Sequence, residues 1–145
     1  MAEGERNPEE DGSQASGQAI VIELAPGDIA EVVLARIVGI LASRAGLGVD
    51  RVTEALALAE ALGAHSREIA GDDHFRVVAT ANNGDLCLTI GPIATGGAAR
   101  LLQLETHPAL GSVIERLAHR VEVADRGGEV LEVHLGGTSK LGPTA

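Results

Sequence analysis

The side chains best suited to chemistry are few and scattered. Five histidines occur (His65, His74, His107, His119 and His134), yet no two stand four apart on a predicted helix, the spacing that brings two imidazoles to one metal ion. The sequence therefore predicts no metal site. One cysteine, Cys87, lies in the apolar run Leu86-Cys87-Leu88 and reads as a packed side chain rather than an activated thiolate. A lone cysteine also excludes an intrachain disulfide and a cysteine-rich zinc site. Ser112 lacks the Gly-x-Ser-x-Gly setting that exposes a nucleophilic serine. Glu115 and Arg116 read as a solvated helix face. The Gly96-Gly97 pair marks a flexible segment.

Composition narrows the field further. With 145 residues, the chain suits one domain and buries about 70% of its unfolded surface without a metal or disulfide. Hydrophobic residues make up 45% but aromatics only 1%, so the core must be aliphatic and base-stacking platforms for single-stranded nucleic acid are absent. The net charge of −10 makes nucleic acid and anionic membrane poor partners and a basic protein surface a good one. No segment approaches the ~18 uncharged apolar residues of a membrane helix, and the acidic N-terminus lacks the apolar stretch of a secretory signal. The expectation is a soluble, cytoplasmic protein.

The elements that must position these residues follow from periodicity. Residues 1–18 carry Glu3, Glu5, Glu9, Glu10 and Asp11 against Arg6 alone and almost nothing apolar, so they read as a disordered acidic tail. Residues 138–145 read as a second tail, leaving a domain over 19–137. Ala19 to Leu24 is a β-branched strand. Asp28 is placed to cap a helix whose Ile29, Val32, Val33, Ile37, Ile40 and Leu41 form one apolar stripe. Leu34 and Val38 fall off that stripe and either widen the core contact or form a partner surface. Gly46-Leu47-Gly48 ends this helix, and Asp50 is placed to cap the next, through Val52, Ala55, Leu56, Ala59 and Leu62. Phe75–Thr80 and Asp85–Ile90 read as strands joined by Asn82-Asn83-Gly84. A short helical piece, Ala98–Leu104, precedes a helix that Pro108 opens, with Leu110, Val113, Ile114 and Leu117 on one face. Val121–Val123 and Val130–Leu135 alternate around Arg126-Gly127-Gly128 as a second hairpin. This order predicts an α/β two-layer sandwich, with helices on one face of a mixed, mostly antiparallel sheet.

That order, with what lies inside it, resembles the anti-sigma-factor serine kinases, which share the histidine-kinase-like ATPase fold with gyrase and Hsp-type chaperones. The resemblance spans about Ile20 to Leu135. The joint Ala45-Gly46-Leu47-Gly48-Val49-Asp50-Arg51-Val52 is similar to the family's own, and Ala55 to His65 matches the helix that carries a catalytic Glu and, four residues on, a magnesium-binding Asn. The i, i+4 spacing sends both side chains from one helix face toward the phosphates. Glu60 is kept as the implied general base, whereas Ala64 stands at the Asn position and offers no oxygen to magnesium. In Leu88 to Ile93 the family has Asp-x-Gly-x-Gly beneath the adenine; here Thr89 replaces the Asp, Gly91 is kept and Ile93 replaces the second Gly. Gly96-Gly97 falls where the family has its nucleotide lid. Pro108 to Val123 looks like its phosphate-binding run, with Gly111 kept and Ala109 in place of its partner glycine.

The resemblance thus implies a nucleotide pocket at Thr89, Gly91, Gly97 and Gly111 with its magnesium and adenine ligands lost. It points to a homodimeric regulator that binds a sigma factor or an anti-sigma-factor antagonist, without direct nucleic-acid or membrane contact and with no cofactor. The alternative is an active ATP- and magnesium-dependent serine kinase acting on an antagonist, with Glu60 as base. The two differ in one measurement. Calorimetric titration with ATP and magnesium is expected to give weak or no binding, and a micromolar dissociation constant would contradict the lost-ligand inventory.

Overall fold

The computed structural model describes residues 18–70, 74–104, 106–107 and 111–136. The expected tails lie almost wholly outside them. The described elements are β1 (Gln18–Leu24), α1 (Asp28–Arg44), α2 (Val49–Ala64), α3 (Ser66–Ala70), β2 (Phe75–Asn82), β3 (Asp85–Ile93), α4 (Gly97–Leu104), β4 (Thr106–His107), β5 (Gly111–Ser112), α5 (Val113–Leu117), β6 (Arg120–Asp125) and β7 (Glu129–Leu135). Five strands form one sheet in the order β1-β2-β3-β7-β6, every neighbour antiparallel. The chain is therefore mixed α/β, with an antiparallel sheet and a helical layer, as the two hairpin signals predict.

Register explains how the sheet divides inside from outside. Ile22, Val77, Ile90, Leu131 and Val123 line up across the five strands, as do Ile20, Ala79, Leu88, Val133 and Val121. The central members of both rows are fully buried against the helices. The alternate rows, Val21-Val78-Thr89-Glu132-Glu122 and Ala19-Thr80-Cys87-His134-Arg120, leave the opposite face. The core is aliphatic apart from the buried Phe75. Both hairpin turns use glycines at positive φ: Gly84 at 80° after Asn83, and Gly127 and Gly128 at 73° and 141°. The Gly84 amide also donates to the Ala45 carbonyl at 2.7 Å, pinning the first hairpin to the end of α1.

Three local expectations need correction. The stripe on α1 is split: Leu41 is buried and Val33 and Ile37 half-buried, but Ile29, Val32 and Ile40 are 72%, 57% and 61% exposed. The core is met instead by Ala30, Leu34, Val38, Leu41 and Ala42, so Leu34 and Val38 do widen the core contact. Apolar residues of both kinds interleave along α1, so periodicity alone does not pick the face that meets the core. Alanine at 30 and 42 lets the backbone of α1 come close, and this close approach decides for the smaller set. Next, neither Asp28 nor Asp50 is a cap. Gly27 and Gly48 hold the N-cap positions, and each aspartate sits inside the first turn, where it complements the helix dipole. Finally, the helix expected from Pro108 begins at Val113, with the Ser112 hydroxyl accepting from the Glu115 amide at 3.3 Å. The short pair β4–β5 precedes it. Serine is a strong N-cap, and this one overrides the proline signal. Residues 108–110 lie outside the described residues.

The helical layer depends on a close antiparallel crossing of α1 and α2. A Cβ added at Gly63 would lie 2.4 Å from the Glu31 Cα, a backbone atom that cannot swing aside. One added at Gly39 would lie 2.9 Å from the end of Leu56, a flexible tip that can. A second tie is buried at the other end of α2. Arg51, 1% exposed, pairs with Glu54 and donates from Nε to the Gly136 carbonyl at 2.8 Å, linking α2 to the chain leaving β7. Gly63→Ala is accordingly expected to destabilise the protein by about 1–3 kcal/mol through overpacking, although alanine is the better helix former. Thermal unfolding checks this. An unchanged or raised midpoint would show that the crossing can relax.

Candidate functional site

Three regions hold the residues of interest: a groove outside the helices, the start of α4, and the open face of the sheet. The groove runs along the outward side of the α1–α2 crossing. One stretch of about 660 Å³ lies among Arg36, Gly39, Ile40, Arg44, Val52 and Leu56. A second of about 290 Å³ lies among Glu31, Val32, Arg36, Leu56 and Glu60. Its floor is apolar and its rim carries both signs of charge. It continues onto the exposed stripe of Ile29, Val32 and Ile40, an apolar patch of the kind that marks a contact surface. The stripe exists because α1 is apolar on two sides while the core covers only one.

Glu60 projects into this groove. It and Ala64 are both exposed, one turn apart on the outward side of α2, as their i, i+4 spacing predicts. Thr89 lies elsewhere. It stands on the open face of the sheet between Val78 and Glu132, while its neighbours Leu88 and Ile90 point into the core. The helical layer and the sheet separate Glu60 from Thr89, so the structure does not bring these two together.

The remaining glycines have local reasons for their places. Gly91, at φ 139°, sits where β3 shifts register against β7, and a Cβ there would lie 2.8 Å from the Glu129 carbonyl oxygen. Gly97 opens α4 beside Ile93, whose side chain, 7% exposed, would lie 3.5 Å from an added Cβ. Gly111 belongs to β5, opposite His107. Gly97 and the bulge at Gly91 are near one another through Ile93 and Glu129. No such link joins them to Glu60.

Sequence reasoning missed the residue that organises this corner. The Glu129 carboxylate accepts from the Gly96 amide at 2.8 Å and from the Ala98 amide at 2.9 Å. The N-terminus of α4 is thereby satisfied by an anion belonging to the chain itself. A glycine pair ahead of a helix hints at an anion site, but nothing local ties it to a glutamate more than thirty residues away. The buried Arg51–Glu54 pair also escaped notice, because its partner carbonyl comes from the far end of the domain.

The open sheet face carries a polar cluster. His134 Nε2 lies 3.9 Å from Cys87 Sγ, 3.7 Å from Glu132 Oε1 and 3.4 Å from the Arg120 guanidinium. Glu132 pairs with Arg126, and Glu122 with Arg120 at 3.3 Å. Nucleophile and carboxylate thus both meet one ring nitrogen, whereas a catalytic relay needs one on each. Burial pushes the Cys87 thiol above its usual range, outweighing the hydrogen bond from Thr89 that acts in the other direction. Neither feature suits a nucleophile.

No protein-family model and no curated protein matches this sequence. Among the described residues, no helix is long and apolar enough to cross a membrane.

The thiol gives a direct check. A raised folded-state pKa favours the neutral form, so this contribution to stability is full below the unfolded value and is lost as pH rises through the folded one. Cys87 is expected to alkylate more slowly than a cysteine in an unstructured peptide near the ordinary thiol pKa of about 8.5. Mass-resolved iodoacetamide kinetics measure it, and a faster rate would contradict the burial.

Proposed function

We propose that this chain is a regulatory protein of the anti-sigma-factor type, built on a histidine-kinase-like ATPase scaffold, that acts by binding a partner rather than by turning over ATP. The partner is a sigma factor or an anti-sigma-factor antagonist. The observation that carries this is the exposed apolar stripe of α1, Ile29, Val32 and Ile40, running beside a charged-rim groove. Such a surface is costly to leave in water, and a protein partner would cover it. The same region, with β1 at the edge of the sheet among the described residues, also suits the homodimer that the resemblance implies.

The corner at Gly91, Gly97 and Ile93 supports the loss of nucleotide chemistry. The amides at the start of α4 already hold a carboxylate, which would repel a phosphate at that place. Ala64 and Thr89 supply neither a magnesium ligand nor an adenine-binding carboxylate. The overall charge of −10 favours a basic partner surface and would speed association with it.

Affinity capture from the native host, followed by salt titration of the complex, tests this. The expected result is a sigma factor or antagonist, retained by the intact protein and lost with Val32→Glu, whose charge falls on the exposed stripe. Sedimentation should show a dimer at micromolar concentration. Recovery of neither partner class would defeat the proposal. Phosphate transfer onto a copurified antagonist, abolished by Glu60→Ala, would establish the kinase alternative in its place.

A further inference from the structure

The geometry points to a transition-metal site, best suited to Zn²⁺, on the open face of the sheet: we propose that Glu122, Glu132 and His134 are its three protein ligands, with the fourth position left to solvent. This is independent of the partner-binding function above and lies on the opposite side of the sheet from the helical groove.

The ligand atoms come from two neighbouring strands. Glu122 on β6 faces Glu132 on β7, and His134 follows two residues along β7 on the same face. One carboxylate oxygen from each glutamate and one nitrogen of His134 all lie within 4.8 Å of one another. Two carboxylates directly opposite on adjacent strands repel, and Glu132 is only 8% exposed. A cation bound between them would relieve that repulsion directly.

Distances fit a modest contraction. Around one tetrahedral zinc, nitrogen and oxygen ligands stand about 3.4 Å apart, from the usual bond lengths. His134 Nε2 stands 3.7 Å from Glu132 Oε1. That gap closes with a few tenths of an ångström of side-chain movement. An imidazole beside two carboxylates suits zinc better than magnesium or calcium, which take oxygen alone.

Two arginines now supply the positive charge. Arg120 reaches both His134 Nε2 and Glu122, and Arg126 pairs with Glu132. Both arginine side chains are more than half exposed, so each can swing to water when a metal enters. An adjoining cavity of about 550 Å³, lined by Cys87, His119, Arg120 and His134 among others, leaves the cluster open to solvent. The sequence shows no metal spacing because a sheet site draws its ligands from cross-strand register rather than from short intervals along the chain.

The test uses the full chain, reduced and stripped with a chelator, titrated with Zn²⁺ by calorimetry. One ion per chain is expected. His134→Ala and Glu122→Gln should each weaken binding by at least roughly tenfold, the lower edge of what even an outer-shell substitution costs. Arg120→Ala should tighten it, because a competing cation is removed; a purely structural ion-pair network gives no reason for that. Absence of saturable binding up to millimolar zinc would overturn the site. So would unchanged affinity in Glu122→Gln, which is exposed and decides the matter even if His134→Ala fails to fold.

Discussion

The contact on which the architecture turns is the place where α2 passes over α1 with no side chain between them. Gly63 lies against the backbone at Glu31, too close for even a methyl group. Helices that approach this closely have little rotational freedom, because their ridges must interlock. The crossing therefore sets which side of α1 meets the sheet. Leu34, Val38 and Leu41 turn inward, and an equally apolar set, Ile29, Val32 and Ile40, is left facing water. It also sets where α2 sends Glu60, which emerges beside Val32 and Arg36 in the outer groove. Core packing and the exposed surface are thus two results of one steric constraint.

The second constraint is electrostatic and joins the two ends of the domain. Arg51 is buried with Glu54 and holds the Gly136 carbonyl. Taking two charges out of water is expensive, and a hydrophobic pair of the same size would often be as stable. What the ion pair adds is direction. A guanidinium donates only at fixed angles, so α2 is held at one position relative to the end of β7. Aliphatic packing alone, in a core with a single aromatic ring, would hold it less specifically.

Strands and turns were legible in the sequence because their signals are local. Asn83-Gly84 and Gly127-Gly128 need positive φ, and the β-branched runs beside them alternate with a period of two. The orientation of α1 was not legible. Its buried and exposed apolar residues interleave along one helix, and the deciding residue, Gly63, lies on another. The start of α5 was missed because Pro108 and Ser112 are both good helix openers and only the fold chooses between them. The candidate pocket fared differently again. Glu60 and Ala64 share a helix side, as their spacing requires, but whether Thr89 faces the same space depends on strand parity. The register places it on the open face instead.

That parity bears on what the corner around Gly91 can do. A nucleotide site of the implied kind needs bare amides at a helix N-terminus, since the partial positive charge there is what attracts a phosphate. Here the amides of Gly96 and Ala98 are engaged by Glu129, which reaches them because β7 begins beside the register shift at Gly91. The glycine that would otherwise admit a ligand instead lets the two strands close: a side chain at Gly91 would strike the Glu129 carbonyl and push away the carboxylate that caps α4. Ile93 then packs against Gly97, filling space beside that cap. Opening this corner to a phosphate would require breaking two charge-assisted hydrogen bonds and burying one anion beside another. The glycine, the bulge and the glutamate act as a single self-contained cap, so Gly91, Gly97 and Ile93 each have a part in the stability of α4.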